Sequence, residues 1–339
     1  MQNIKGKGFP MQEQFFLILK RMQNEQFNMA QELSEVLEIS MDSAYRRMRC
    51  ETPLSLDETV KLCLHFQVPL EALNNQIPDV VTFQFNKLAP SRESFRDYIN
   101  HLAEQLKYIQ QSKNPKIIYA AEDIPVFHHF GFENLAKFKT LYWLKSILNA
   151  PEMRQQKFPM EEDSFLDELN FADVYNAYSK IPTTEVWTNE TIESTLQQIR
   201  FYWEAGFFKD IITFKNVCND LIALITKVQK QTEINQKLDI SGASTGANFT
   251  FYQCDLMIGN NTVLASSENF KTTFIGYNSF NFMNTQNSFF NQQNQTWLDN
   301  LISKSILMSG VAEKLRNQFF KAQIKKIEML VDKIEKEES

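Results

Sequence analysis

The side chains best suited to chemistry in this sequence are hydroxyls and arginines between residues 40 and 49. Ser40 and Ser43 are followed by Arg46, Arg47 and Arg49. A guanidinium can donate two parallel hydrogen bonds to a guanine edge or to a phosphate, and a hydroxyl can accept a free backbone N–H. These residue types therefore favour recognition of nucleic acid over bond breaking.

Two short helices joined by a tight turn are predicted to position this group. Apolar residues in Met29–Leu37 recur at helical spacing, and Glu38-Ile39 forms the turn. Ser40 has the right chemistry to cap a second helix, which is predicted from Met41 to about Arg49. Ala44 faces inward on this second helix, so its polar residues face outward.

These helices resemble the helix-turn-helix of the lambda-repressor-like (Cro/C1, or XRE-type) family. The resemblance rests on Leu33, Leu37, Ile39-Ser40 and the run Ser43-Ala44-Tyr45-Arg46-Arg47, and it covers the N-terminal residues 1–76 only. The sequence departs from the family at Glu38 and Cys50, where many relatives have glycine. A residue other than glycine has a conformational cost there if its φ is positive.

The resemblance implies a five-helix domain whose second helix of the pair lies in the major groove of double-stranded DNA. Ser40 would cap this helix, and Arg46 would contact a base or a phosphate. Tyr45 would either stack on the DNA backbone or close the helix pair. The remaining implied contacts are Met41, Asp42 and Ser43 near base edges, and Arg47 and Arg49 on phosphates.

Composition and charge limit how such a domain could bind. The chain has 339 residues and a net charge of −6, and residues 1–76 hold eight basic and ten acidic side chains. DNA affinity must therefore come from the local arginines, doubled in a homodimer. Four cysteines without CxxC spacing indicate a reducing cytoplasm, and no signal peptide or apolar run of membrane-spanning length is expected.

The fold is predicted to be mainly α with a small antiparallel β element, and a larger α+β domain follows the N-terminal helix-turn-helix domain. The predicted parts are the DNA-binding domain at 1–76, a linker or connecting strand at 77–92, a helical region at 93–240, a small β-containing region at 241–312, and a C-terminal amphipathic helix at 313–339.

Three segments allow more than one interpretation. The apolar face of a helix after Ser91 could belong to the core or to a dimer interface, and Lys116–Ala121 could be a buried strand or the start of a helix. Phe320, Ile324, Ile327, Val331 and Ile334 form a short heptad seam. This seam could pack on the body of the chain or pair with a second chain.

No catalytic, cofactor or metal site is predicted. His128-His129 lacks a third ligand at a recognisable spacing, and the Gly-rich loop at Ser241–Gly246 lacks the lysine of a phosphate-binding loop. The acidic run Glu161–Glu168 fits a solvated helix face better than acid–base chemistry. The sequence also has no nucleophile elbow and no zinc-protease motif.

The sequence therefore predicts a bacterial one-component transcriptional regulator that is not an enzyme. Its N-terminal part would bind operator DNA, and its larger part would sense a small-molecule or protein effector, oligomerise, or both. Aromatic density places the effector near Phe127–Trp143. The alternative is a helical scaffold whose N-terminal bundle binds a protein. An enzyme that uses the acidic run is a third reading.

Overall fold

The computed structural model of the protein describes residues 9–21, 28–66, 68, 80–160 and 164–338. The chain divides into an N-terminal unit, Met1–Thr82 with the short segment Asn287–Phe289, and a larger unit formed by the rest of the chain from Phe83. No helix in the described part of the chain combines the length and the apolar character needed to cross a membrane.

The described part of the N-terminal unit consists of short helices around an apolar cluster. Phe15, Leu33, Ala44 and Leu62 are fully buried in this cluster. The fifth helix predicted near residue 70 falls outside the described residues. The described helices are α1 (Pro10–Arg21), α2 (Met29–Leu37), α3 (Met41–Met48) and α4 (Leu56–His65).

Two helix starts follow directly from the sequence. The Ser40 hydroxyl accepts the Ser43 N–H at 3.3 Å, which confirms Ser40 as the N-cap of α3. Ser55 and Glu58 form a capping box at the start of α4, because each side chain accepts the other residue's backbone N–H, at 3.1 and 2.8 Å.

The larger unit carries most of the helices and all of the described strands. Its helices are α5 (Arg92–Gln111), α6 (Val126–His129), α7 (Glu133–Tyr142), α8 (Phe171–Ser179), α9 (Glu193–Glu204), α10 (Ile211–Ile234), α11 (Ser288–Ser303) and α12 (Glu313–Glu338). A π-helical segment, Trp143–Ile147, continues α7, and short 3-10 turns lie at Pro151–Met153 and Ser164–Leu166.

The strands form one mixed sheet of nine strands. They are β1 (Gln84–Phe85), β2 (Lys116–Ala121), β3 (Thr183–Trp187), β4 (Gln236–Leu238), β5 (Ser244–Gln253), β6 (Thr262–Ser266), β7 (Lys271–Tyr277), β8 (Asn281–Thr285) and β9 (Ile306–Leu307). Their order is β1-β8-β7-β6-β2-β3-β5-β4, and β9 pairs with β5.

The prediction of a mainly helical chain with some β structure is confirmed, but the prediction of a small antiparallel element is wrong. Strand β2 pairs in parallel with β3, and β3 pairs in parallel with β5, while the flanking pairs are antiparallel. Strands β2, β3 and β4 lie inside the region predicted as helical, residues 93–240. Parallel pairs need long crossovers, and here α6–α10 provide them.

Both faces of the central sheet are buried. Ile117, Tyr119 and Ala121 face the large core formed with α5–α10 and α12, whereas Ile118 and Ala120 face a smaller cluster with α11. Because side chains alternate along a strand, β2 is apolar at nearly every position. This explains why Lys116–Ala121 has no amphipathic alternation in the sequence.

The two apolar helix faces that could have formed a dimer interface, on α5 and α12, both pack on the chain itself. Phe95, Ile99 and Leu106 of α5 are buried in the large core. The C-terminal seam also belongs to that core, and its Ile327 and Ile334 are almost fully buried where α12 packs along α10. The linker region contains β1, a two-residue strand that pairs with β8 and forms the edge of the sheet.

Candidate nucleic-acid interface

The turn between α2 and α3 is held by short-range hydrogen bonds. Glu38 ends α2 in the left-handed conformation, with φ 56° and ψ 42°. The Ile39 N–H then donates to the Ser34 carbonyl at 3.0 Å, and the Ser34 hydroxyl donates to the Ile39 carbonyl at 2.6 Å. Together with the Ser40 cap, these bonds fix the direction in which α3 leaves the turn.

The outer face of α3 is exposed over its whole length. Met41 and Tyr45 retain 40% and 44% of their surface, and Asp42 and Arg46 are also exposed. Ala44 is fully buried on the opposite side, so the rotation of the helix is fixed. Ser43 is half-buried, and its hydroxyl accepts a hydrogen bond from the Ser40 hydroxyl at 3.0 Å.

The Arg47 guanidinium is turned towards α4 and is not free for a phosphate. Its Nη2 forms a 2.7 Å ion pair with Glu58, and only 15% of the Arg47 side chain is exposed. Burial acts to raise the pKa of Glu58, but Arg47 and Ser55 outweigh burial, and the net pKa is lowered. The residue predicted to contact phosphate therefore joins α3 to α4.

Arg49 is exposed but also has an acidic partner. Its Nε and Nη2 bind the two Glu51 carboxylate oxygens at 2.8 and 3.1 Å. This bidentate pair raises the pKa of Arg49 and lowers that of Glu51. The Arg46 side chain, in contrast, makes no hydrogen bond or ion pair with any described residue.

Sequence reasoning missed the residues that surround these arginines. Gln12 on α1 is buried, and its Nε2 donates to the carbonyls of Arg47 and Thr52 at 2.8 and 2.9 Å. Glu51 and Glu58 are the counter-ions of Arg49 and Arg47. The capping box identifies Glu58 locally, but a contact eleven residues away depends on how α3 and α4 pack.

The histidine pair considered for metal binding lies inside the larger unit. His128 Nε2 lies 2.9 and 3.1 Å from the two carboxylate oxygens of Glu185, which is fully buried. His129 is buried, and neither of its ring nitrogens has a hydrogen-bond partner in the described structure. Burial therefore holds the pKa of His129 well below its usual value.

Glu185 is the centre of a buried polar network. The Tyr178 hydroxyl donates to it at 2.6 Å and the Trp187 indole at 2.8 Å. Burial acts to raise the pKa of Glu185, but His128, Lys237 and the Tyr178 hydroxyl outweigh burial and lower it. Burial also holds the pKa of Lys237 well below normal, and its Nζ donates to the Tyr178 carbonyl and the Thr183 hydroxyl.

The acidic run does not form a free catalytic pair within its described part. Residues 161–163 fall outside the described residues. Asp167 forms an ion pair with Lys137, and Glu168 pairs with Arg96 at 2.7 Å. Both carboxylates are exposed, so these pairs fit a solvated surface with local ion pairs.

A large cleft in the larger unit opens at the carboxyl ends of β2, β3 and β5. It has a volume of about 720 Å³, and Glu122, Glu190, Glu193 and Asp255 contribute carboxylates to it. Among the described residues, no group of three or more metal-ligating side chains is arranged to hold an ion.

Comparison with known protein families, curated proteins and solved structures identifies no match to this chain.

Proposed function

We propose that this protein is a transcriptional regulator that binds double-stranded DNA through α3. The observation that carries the proposal is the exposed outer face of α3, with Asp42, Tyr45 and Arg46 on a helix fixed by its cap and by buried Ala44. A helix presented in this way can enter the major groove with its N-terminal residues against base edges.

Arg46 is the central contact in this proposal. Arg47 and Arg49 are already paired with glutamates, so their positive charge is largely neutralised locally. Arg46 makes no hydrogen bond or ion pair with a described residue and interacts with Glu51 only through its charge, so its guanidinium can donate two hydrogen bonds to a guanine edge or to a phosphate. A single helix with one free arginine grips DNA weakly, so a homodimer that reads two half-sites supplies the remaining affinity.

The test is selection from a pool of genomic fragments by the full chain at two salt concentrations. We expect a few sites to be enriched, with affinity that falls as salt rises, because phosphate contacts release counterions. Arg46→Ala should weaken binding to an enriched site by roughly 5- to 150-fold, the equivalent of about 1–3 kcal/mol for a bidentate base contact.

Lys61→Ala is the matched control, because it removes one exposed positive charge from α4 instead of α3. It should leave the choice of site unchanged. If both variants bind DNA as the natural chain does, α3 is not the recognition helix. Enrichment that does not depend on salt would also contradict a phosphate-based interface.

A second candidate is a protein-binding bundle, which two observations favour. Two of the three arginines are neutralised by Glu51 and Glu58, and α4 exposes Leu56, Val60 and Leu64 at successive four-residue steps. This candidate would be supported over DNA binding by two results together. The folded protein would enrich no DNA fragment, and its binding to a protein partner would be lost in the Leu64→Ser variant.

A further inference from the structure

A small apolar cavity lies between α5 and the antiparallel half of the sheet. Its volume is about 50 Å³. One side is formed by Leu102, Leu106 and Ile109 of α5, and the other by side chains of β2, β6, β7 and β8 together with Phe127. Native cores contain few voids larger than a water molecule, and this one is open to solvent on one side. The cavity is thus a space that an apolar group could fill.

Four of the polar residues of the cavity wall carry amides, and the fifth is a tyrosine. The amides are Asn86, Gln105, Asn281 and Asn284, and the hydroxyl of Tyr98 donates to the Phe280 carbonyl. No charged side chain is among the described lining residues. Asn86 is exposed and Gln105 and Asn284 are half-buried, whereas Leu106, Ile109 and Phe127 are buried. The wall therefore changes from apolar inside to amide outside.

Two of these amides are available for a ligand. The side chains of Asn86 and Asn284 form no hydrogen bond with any described residue. Asn281, in contrast, donates to the Asn86 carbonyl at 2.7 Å and fixes the backbone at that side of the cavity. An amide can both donate and accept, so it suits a neutral head group, and a buried charge here would have no counter-ion.

We propose that this cavity binds an uncharged small molecule with an apolar chain and one hydrogen-bonding head. The chain enters between α5 and the sheet, and the head lies at Asn86 and Asn284. Since a single water needs about 10–15 Å³ of such volume, the cavity accepts only a few carbon atoms before the chain reaches its open side.

Part of the cavity wall is close in sequence to the N-terminal unit. Asn86 directly follows β1, which is the first strand after that unit, and Asn284 lies opposite Gln84 in the β1–β8 pair. Of the segment predicted to hold an effector, Phe127–Trp143, Phe127 lines this cavity. A role as effector would rest on the proposed DNA-binding function, but ligand binding does not.

The test is a titration of the full chain with straight-chain primary alcohols of three to eight carbons. Binding is followed by methyl resonances of labelled Leu, Ile and Val residues. We expect saturable shifts at Leu106, Ile109 and Val263. Affinity should rise about fourfold per added methylene, the equivalent of about 0.8 kcal/mol, and then level off once the cavity is full.

Hexanoate is the charged comparison for hexanol and should bind at least about tenfold more weakly, because its carboxylate has no counter-ion at the amides. Leu102→Trp and Ala265→Leu fill the cavity from opposite walls and should abolish the shifts. Tyr108→Trp, on the exposed side of α5, should keep them. Shifts that do not saturate, equal binding of hexanoate, or binding that survives both filling variants would overturn the proposal.

Discussion

Glu185 shows how one side chain can determine the stability of a fold. It is fully buried on β3, and it is satisfied by His128, Tyr178 and Trp187. A buried carboxylate without partners would be protonated or would expose its strand to water. The network therefore allows a charged residue to occupy the centre of the sheet.

We expect Glu185→Gln to lower the free energy of unfolding at pH 7 by about 3 kcal/mol, because it removes the carboxylate that pairs with the buried His128, Tyr178 and Trp187 side chains. The folded pKa of Glu185 is lowered, despite the opposing effect of burial. Its contribution is therefore present above the unfolded pKa, which is about 4.3. It is lost as pH falls through the lower, folded pKa.

Urea unfolding at pH 7, 5, 4 and 3 measures this contribution. The difference between the natural chain and Glu185→Gln should stay constant from pH 7 to pH 5 and shrink as pH falls below about 4.3. Glu104→Gln removes an exposed carboxylate from α5 and should cause little change at any pH. A natural chain that gains stability relative to Glu185→Gln as pH falls from 7 to 4 would show that Glu185 is protonated in the folded protein.

The turn between α2 and α3 shows how a small element can keep a strained residue. Glu38 has φ 56°, and Cys50, after α3, has the same φ. At both positions, many members of the lambda-repressor-like family have glycine where this sequence does not. A left-handed conformation costs a residue with a Cβ about 1–2 kcal/mol, while glycine loses part of that advantage through its freedom in the unfolded chain.

We expect Glu38→Gly to raise the free energy of unfolding of the N-terminal unit by about 0.5–1 kcal/mol. Glu35→Gly, three residues earlier and inside α2, is the matched control and should lower it by about 1 kcal/mol. Chemical denaturation followed by circular dichroism measures both. If both variants destabilise the unit equally, the turn does not hold Glu38 in the left-handed region.

Elements that local sequence determines are the ones that could be predicted. The caps at Ser40 and Ser55 use residues three positions away, and the amphipathic helices α5, α10 and α12 repeat at helical spacing. Strand β3 was not predicted, because Glu185 makes its sequence look polar. Its burial depends on residues as distant as His128, 57 positions earlier in the chain.

In the candidate interface, too, the sequence predicts what helical spacing determines but not what depends on packing between helices. The exposed position of Arg46 follows from helical spacing and the buried Ala44. The pairing of Arg47 with Glu58 does not, because it requires the packing of α3 on α4. The mixed sheet was missed for a similar reason, since its parallel pairs join segments separated by more than sixty residues, such as Ile117 and Thr183.

At the scale of the whole molecule, each unit has a separate core. The cluster around Leu33 contains described residues of the N-terminal unit alone, and the cluster that holds Ile327 contains residues of the larger unit alone. Both side chains are fully buried. Domains with their own cores generally unfold as separate cooperative units.

We therefore expect two unfolding transitions in the full chain. Leu33→Ala should lower the stability of the N-terminal transition by about 2–5 kcal/mol and leave the other in place, and Ile327→Ala should do the reverse, because each opens a cavity in one core only. Calorimetry distinguishes the transitions, and Met329→Ala, on the exposed side of α12, is the control for Ile327→Ala. A single transition that both core substitutions shift would mean that the two units unfold as one. With a single transition, a ligand in the amide-lined cavity would stabilise α3 simply by stabilising the whole chain. With two independent transitions, the ligand would have to act on α3 through β1.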